Sequence, residues 1–291
     1  DLAEKRLDKA EALAAARLRT FPSDSEALRL GVAVTARQVR IKLEHGQIDK
    51  AAEQIKTWAS PRGLPLPLVE VAVAVAHAWG RGPDALQRGR RFLRELRDRH
   101  DSRALRRGEA ELILRRVMDR AIPIADVVEQ LGLLCEAHDL APDHALVAAR
   151  LGREARVAAG KWLAEPGGGP SRAIGILESL GAAGRAPLRP VLAECLVRRG
   201  VQLVDASPRA AERDLVLAEQ LGVGPTDQAE VDRHLGVLYF RAAQNVLGDP
   251  KVAEPVRRER YGGYLRIAAR RGYGPALDAL RQLGAEEARS Q

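Results

Sequence analysis

Aromatic side chains are scarce in this 291-residue chain, at 3%. Sheet proteins draw their packing from aromatic and β-branched residues, so the shortage disfavours a strand-built core. Ala, Leu and Val must do the packing. Ala and Leu are strong helix formers, and small side chains let helix axes approach closely. Cysteine is equally sparse. Cys135 and Cys195 are too few and too far apart for a disulfide framework, and are expected as buried free thiols in a reducing cytoplasm. No run reaches about 18 uninterrupted apolar residues, so no transmembrane helix is expected. The longest apolar stretch, 64–79, is broken by Pro65, Pro67, Glu70 and His77. No signal-peptide pattern is visible. The chain begins at Asp1 without a Met, which suggests a fragment, a processed form or a trimmed form of a larger protein.

What is present points to a folded chain. Hydrophobic residues make up 46% and charged residues 30%, outside the disordered range. Net charge is +8, and forty of the 47 basic residues are Arg. Two accounts compete for that bias: a GC-rich bacterial genome, which would enrich Arg and Ala together, or recognition of an anionic partner.

Helix start signals recur along the whole chain. They fall near residues 2, 24, 47, 66, 83, 102, 123, 142, 170, 188, 207, 226, 250 and 275. Pro at a first turn and Gly past an end supply most of them. Two consecutive helices span about 38 to 45 residues, in the range of helix-pair repeats. The spacing predicts an all-α fold, an α-solenoid of about 14 helices in stacked antiparallel pairs. Within 84–99, Ala85, Gly89, Phe92, Leu93 and Leu96 follow one helical face while Arg90, Arg94 and Arg97 occupy another. One segment conflicts: Val69, Val71, Val73 and Val75 alternate with strand period, but strand neighbours are lacking and a helix is expected. The run from Pro166 to Pro170 is the clearest break. It divides a basic sub-array, 1–165, from a second sub-array, 171–291.

Three helices carry a large–small pair ahead of a bulky or aliphatic residue: Leu151-Gly152-Arg-Glu-Ala155, Leu192-Ala193-Glu-Cys-Leu196 and Leu235-Gly236-Val-Leu-Tyr239. These resemble the first helix of a tetratricopeptide repeat, in which a small residue follows Leu where two helices cross. Gly46-Gln-Ile-Asp-Lys-Ala51-Ala52 resembles the turn and second helix of that repeat. Ala268-Ala269-Arg-Arg-Gly272-Tyr-Gly-Pro-Ala276-Leu277 resembles the Sel1-like variant. The likeness covers 27–58 and 145–283. It departs from the family in its irregular repeat length, without a strict 34-residue period. It implies a superhelical stack with a protein-binding role and no catalytic residue.

No chemistry stands out against that background. Cys135, His138 and His144 have a zinc-like first spacing but no evident fourth ligand, and Pro142 interrupts them, so core Cys with surface His is expected and no metal. The glycines at 167–169 lack the Lys-Ser/Thr ending of a phosphate loop. Gly262-Gly263, between Tyr261 and Tyr264, is expected to permit close packing or a break. No nucleophile elbow or dinucleotide fingerprint occurs, so neither an enzyme nor a cofactor is expected.

Charge is segregated along the chain. Residues 81–120 carry 13 Arg against 7 acids, 256–271 carry 6 Arg against Glu259, and 121–255 carry 14 basic against 18 acidic residues. Arg90, Arg94 and Arg97, with Arg257, Arg258 and Arg260, are the candidate partner-binding residues. Three readings compete: solvated helix faces, an acidic protein partner, or nucleic acid, the last disfavoured by the few aromatics available to stack bases. The leading expectation is a cytoplasmic, non-enzymatic scaffold binding a partner peptide or a neighbouring domain of the same polypeptide. One alternative is a regulatory module beside a kinase, J-domain or caspase-like protease; the other is an Arg-faced nucleic-acid binder.

Overall fold

The computed structural model describes residues 2–21, 23–59, 64–80, 82–119, 123–165 and 169–290. Among these the chain is all-α, with no strand and fourteen helices. They are α1 Leu2–Thr20, α2 Ser25–Glu44, α3 Ile48–Lys56, α4 Leu66–Ala78, α5 Pro83–Arg99, α6 Arg103–Met118, α7 Val127–Leu140, α8 Ala145–Ala164, α9 Gly169–Ser179, α10 Arg189–Leu203, α11 Pro208–Leu221, α12 Pro225–Leu247, α13 Glu254–Arg270 and α14 Gly274–Ser290. A single 3-10 turn, Ala182–Gly184, precedes α10. Consecutive helices pack on one another from α1 to α7 and from α9 to α14, consistent with a helical solenoid.

Local chemistry accounts for the starts. The Asp24 carboxylate accepts from the backbone N–H of Glu26 and Ala27, and Ser102 Oγ accepts from Leu105 N–H, as the sequence suggests for α2 and α6. Two starts come later than expected. Helix α7 begins at Val127 and not at Pro123, because the Asp126 side chain captures the Val128 N–H. Helix α13 begins at Glu254 and not at Pro250, because Asp249 first closes a turn onto the Lys251 N–H. Gly46 and Gly272 take positive φ, 70° and 76°, at the two tight turns where the repeat resemblance places a glycine.

The chain forms two compact units, 1–151 and 152–291. The division falls within α8, ahead of the Gly/Pro run that the sequence suggests as the linker; of that run, 166–168 lie outside the described residues. In the first unit α2, α4 and α6 touch in series, and α3 and α5 each bridge neighbouring members. Helix α4 meets α2, α3, α5 and α6, so Leu68, Val69, Val71, Ala72, Val75 and Ala76 are all buried. The buried positions 68, 69, 71, 72, 75 and 76 keep helical spacing, with Glu70, Ala74 and Ala78 on the exposed side; the strand-like pattern arises because that side carries alanines, which hide the stripe.

In the second unit α10 packs on α9, α11 and α12, and α12, α13 and α14 follow in turn. The four tyrosines of the chain all lie here. Tyr239, Tyr261, Tyr264 and Tyr273 pack around a small buried cluster of Ala243, Leu265, Ala268 and Ala276. Small residues sit where helices crowd. A Cβ on Gly236 would lie 2.9 Å from Tyr273 Cβ, and one on Gly152 would lie 3.2 Å from the Pro187 carbonyl oxygen.

Both thiols are free and buried. Burial, with the Glu194 carboxylate adding to it, pushes the Cys195 thiol up to about 11, which suppresses the reactive thiolate. Ellman's reagent is therefore expected to find no fast-reacting thiol in the native chain and two in urea. Rapid native labelling at Cys195 would contradict this burial.

Candidate functional site

The first arginine group is ion-paired, with Arg90 and Arg97 half-buried and Arg94 exposed. Arg90, Arg94 and Arg97 lie on one side of α5 at helical spacing, and all three close on Glu109 of α6, whose side chain is 0% exposed. Arg90 Nε and Arg94 Nε donate to Glu109 Oε1 at 3.2 and 3.1 Å, and Arg97 Nη1 donates to Oε2 at 2.6 Å. Glu136 of α7 completes the cluster, accepting from Arg94 Nη2 at 2.9 Å and from Arg90. Asp101 sits 3.5 Å from Arg97 Nε. Asp101 is shared with Arg106, so four arginines meet three carboxylates and most of the positive charge is compensated.

Other arginines of the 81–120 stretch are also committed. Arg103 pairs with Asp143, Arg106 with Asp101 and Arg107 with Glu111, and Arg115 lies 3.1 Å from His77 Nδ1. Arg88 and Arg91 are exposed and have no ion-pair partner among the described residues. They line an open groove of about 370 Å³ with Trp79 and Phe92, whose rings meet edge-to-face at 5.5 Å. That groove also holds Asp49, Glu53, Lys56 and Glu95, so its charges balance.

The second group divides. Arg257 is half-buried; it pairs with Glu254 and donates to the Asp249 carbonyl, tying the start of α13 to the preceding turn. Arg258 and Arg260 are exposed, with no ion-pair partner among the described residues. Along the outer side of α13, Val256 and Ile267 are 39% and 37% exposed, and nothing lies over Gly263. Arg260, Arg266 and Arg270 flank this line.

Beside α13 lies a feature that sequence reasoning missed. A crevice of about 620 Å³ is lined by Ala206 to Arg209 and Glu212 from the start of α11 and its approach, by Leu238, Tyr239, Ala242, Asn245 and Val246 of α12, and by Tyr264 of α13. The Tyr239 and Tyr264 rings stack, with centroids 6.3 Å apart and planes 21° apart. Burial, followed by the facing Glu212 carboxylate, pushes the Tyr239 hydroxyl up to about 12. The tyrosines gathered in the last quarter of the chain were the available signal, but nothing in their spacing shows that α11 lies beside them.

No protein-family model and no curated protein matches this chain. The site therefore rests on its own geometry.

Cys135, His138 and His144 are all buried. His144 Nε2 lies 3.4 Å from Glu111, and among the described residues no three His, Cys, Asp or Glu side chains converge as a metal site. Among the described residues no helix is long and apolar enough to cross a membrane.

A second charged cluster ties α11, α12 and the end of α13 together. Arg271 donates to Glu219 Oε2 at 2.8 Å and to Asp232 Oδ1 at 2.7 Å, and Gln228 donates to both carboxylates at 3.2 Å. The Arg271 hydrogen bond outweighs burial and holds the Glu219 carboxyl below its ordinary 4.5. A depressed carboxylate stabilises the fold fully above its unfolded value, and that contribution disappears as pH falls through the folded value. Stability is thus expected to fall between about pH 5 and 3, and Arg271→Gln is expected to flatten that limb. Urea unfolding across this range tests it; an unchanged slope in Arg271→Gln would remove Glu219 from the account.

Proposed function

We propose that this chain is a non-enzymatic scaffold of tetratricopeptide-like helix pairs that binds an acidic segment of a protein partner or of a neighbouring domain of the same polypeptide. The observation that carries the reading is the outer side of α13. Its line of Val256, Gly263 and Ile267 is open, and it is flanked by Arg260, Arg266 and Arg270 against the single acid Glu259. An exposed apolar line flanked by one sign of charge suits a partner with apolar anchors and carboxylates. Arg90, Arg94 and Arg97 are spent on Glu109 and Glu136, so the docking charge is assigned to α13. Buried free thiols fit a cytoplasmic setting.

A benzoylphenylalanine photocrosslinker placed at Ile267 tests the reading. The expected adduct, identified by mass spectrometry, carries an acidic segment at the crosslinked position, and Arg260→Glu with Arg270→Glu abolishes it without lowering thermal stability. A crosslink that survives this charge reversal, or that lands on a basic or uncharged segment, sinks the proposal.

A further inference from the structure

The crevice between α11, α12 and α13 combines three elements that the α13 surface alone does not have. Its floor is apolar: Leu238 is buried, and Ala242 and Val246 are half-buried. One wall is the stacked Tyr239–Tyr264 pair. Helical spacing brings further cations towards its opening. Arg209 lines the opening, Arg213 stands one helical turn further along α11, and Arg260 stands one turn before Tyr264 on α13.

The lining itself holds one cation, Arg209, and one anion, Glu212; the positive excess comes from Arg213 and Arg260 beside it. The Glu212 carboxylate faces the Tyr239 hydroxyl. Asp205, next to the rim, pairs with Arg241 at 2.7 Å. Arg209, Arg213 and Arg260 are exposed and have no ion-pair partner among the described residues. Asn245 is exposed at the same opening, and its side-chain amide has no hydrogen bond among the described residues. A side-chain amide can both donate to and accept from a peptide unit. The volume, about 620 Å³, lies within the usual range for ligand pockets of about 300–1,000 Å³.

We propose that this crevice seats an acidic peptide segment: one apolar or aromatic side chain of the ligand enters against Leu238, Ala242, Val246 and Tyr264, its flanking carboxylates pair with Arg209 and Arg260, and its backbone meets Asn245. The proposal rests on the scaffold reading above and adds a second contact surface beside the α13 line. A polypeptide is favoured over a nucleic acid for two reasons. The two tyrosine rings already stack on each other, which leaves little free ring face for bases. A few arginines around an apolar pocket match alternating apolar and acidic residues better than a continuous phosphate track.

Fluorescence anisotropy of the full chain tests this with four labelled probes: a random glutamate–tyrosine copolymer, polyglutamate, polylysine and single-stranded oligothymidylate. The copolymer is expected to bind best, and polyglutamate more weakly for want of a side chain that fills the crevice. Arg209→Glu with Arg260→Glu is expected to weaken copolymer binding by about tenfold or more. Ala242→Trp, which fills the crevice and alters no charge, is expected to do the same. Arg88→Glu, a charge reversal on the other compact unit, is expected to change it by less than about twofold. Circular dichroism melts confirm that each variant is folded. Tyr264 packs on the Ala243–Leu265 cluster, so filling with Trp is preferred to truncation there. Copolymer binding unaffected by the crevice variants overturns the crevice and leaves the α13 crosslinking result standing. A wild-type chain that binds neither acidic polymer overturns the crevice, while the α13 crosslink separately decides the scaffold reading. Oligothymidylate bound as tightly as the copolymer overturns the acidic-peptide assignment in favour of nucleic acid.

Discussion

Glu109→Ala is expected to destabilise the first compact unit by about 3–5 kcal/mol, the usual cost of stranding buried charge. Glu109 is wholly buried and receives Arg90, Arg94 and Arg97. Without it, Arg90 at 15% side-chain exposure keeps Glu136 alone, and Arg97 at 23% keeps only the 3.5 Å approach to Asp101. The cost lies mainly in the cations left behind, because an intact buried pair is close to neutral against an apolar replacement. Two further variants separate these contributions. Arg94→Ala, at a side chain 52% exposed, is expected to cost below about 1 kcal/mol. Glu109→Leu combined with Arg90→Met and Arg97→Met is expected to recover most of the loss. Trp79 fluorescence in a urea titration reports on the right element, since its ring packs against Phe92 of α5. A Glu109→Ala loss below about 1 kcal/mol would mean that the three arginines hydrate freely and that α5 is a solvated face.

The second large effect is a pair of opposite sign. Alanine is normally better than glycine inside a helix by about 1 kcal/mol. At Gly89 in α5 the sign should reverse. A Cβ there would sit 2.8 Å from the Ala76 carbonyl oxygen and 2.8 Å from Leu112 Cδ2. The carbonyl belongs to the backbone of α4, which is held by α2, α3, α5 and α6 and cannot yield cheaply. Gly89→Ala is therefore expected to cost about 1–3 kcal/mol, as overpacking does. Gly175, within α9, has open space where a Cβ would stand, with nothing within 4 Å, and Gly175→Ala is expected to add about 0.4–1 kcal/mol. Thermal melts of the two variants check both signs. Stabilisation by Gly89→Ala would show that α4 and α5 stand further apart than these distances require.

The helices were largely legible before the fold was known. Asp24, Ser102 and the prolines at first turns mark starts through hydrogen bonds or ring geometry confined to a few neighbouring residues, and these act the same way in any fold. Where two local signals competed, the sequence misplaced the start. Pro123 and Pro250 looked like helix openings, but Asp126 and Asp249 held the backbone otherwise. The valine alternation in α4 competed with the helical reading, and the segment is the helix expected. Its exposed side holds Ala74 and Ala78 beside Glu70, so few polar residues mark the buried stripe in the sequence.

The arginine clusters show the boundary most clearly. By itself the sequence determined how many arginines there are and that Arg90, Arg94 and Arg97 share a helical side. It could not determine whether that side meets water, because their partners Glu109 and Glu136 lie on α6 and α7. Only the tertiary structure brought those carboxylates to α5, where they pair with the three arginines. The same holds for the crevice, whose walls come from α11, α12 and α13. Helix signals are local and survive in one dimension. Charge balance and cavities depend on which distant side chains become neighbours, and only packing decides that.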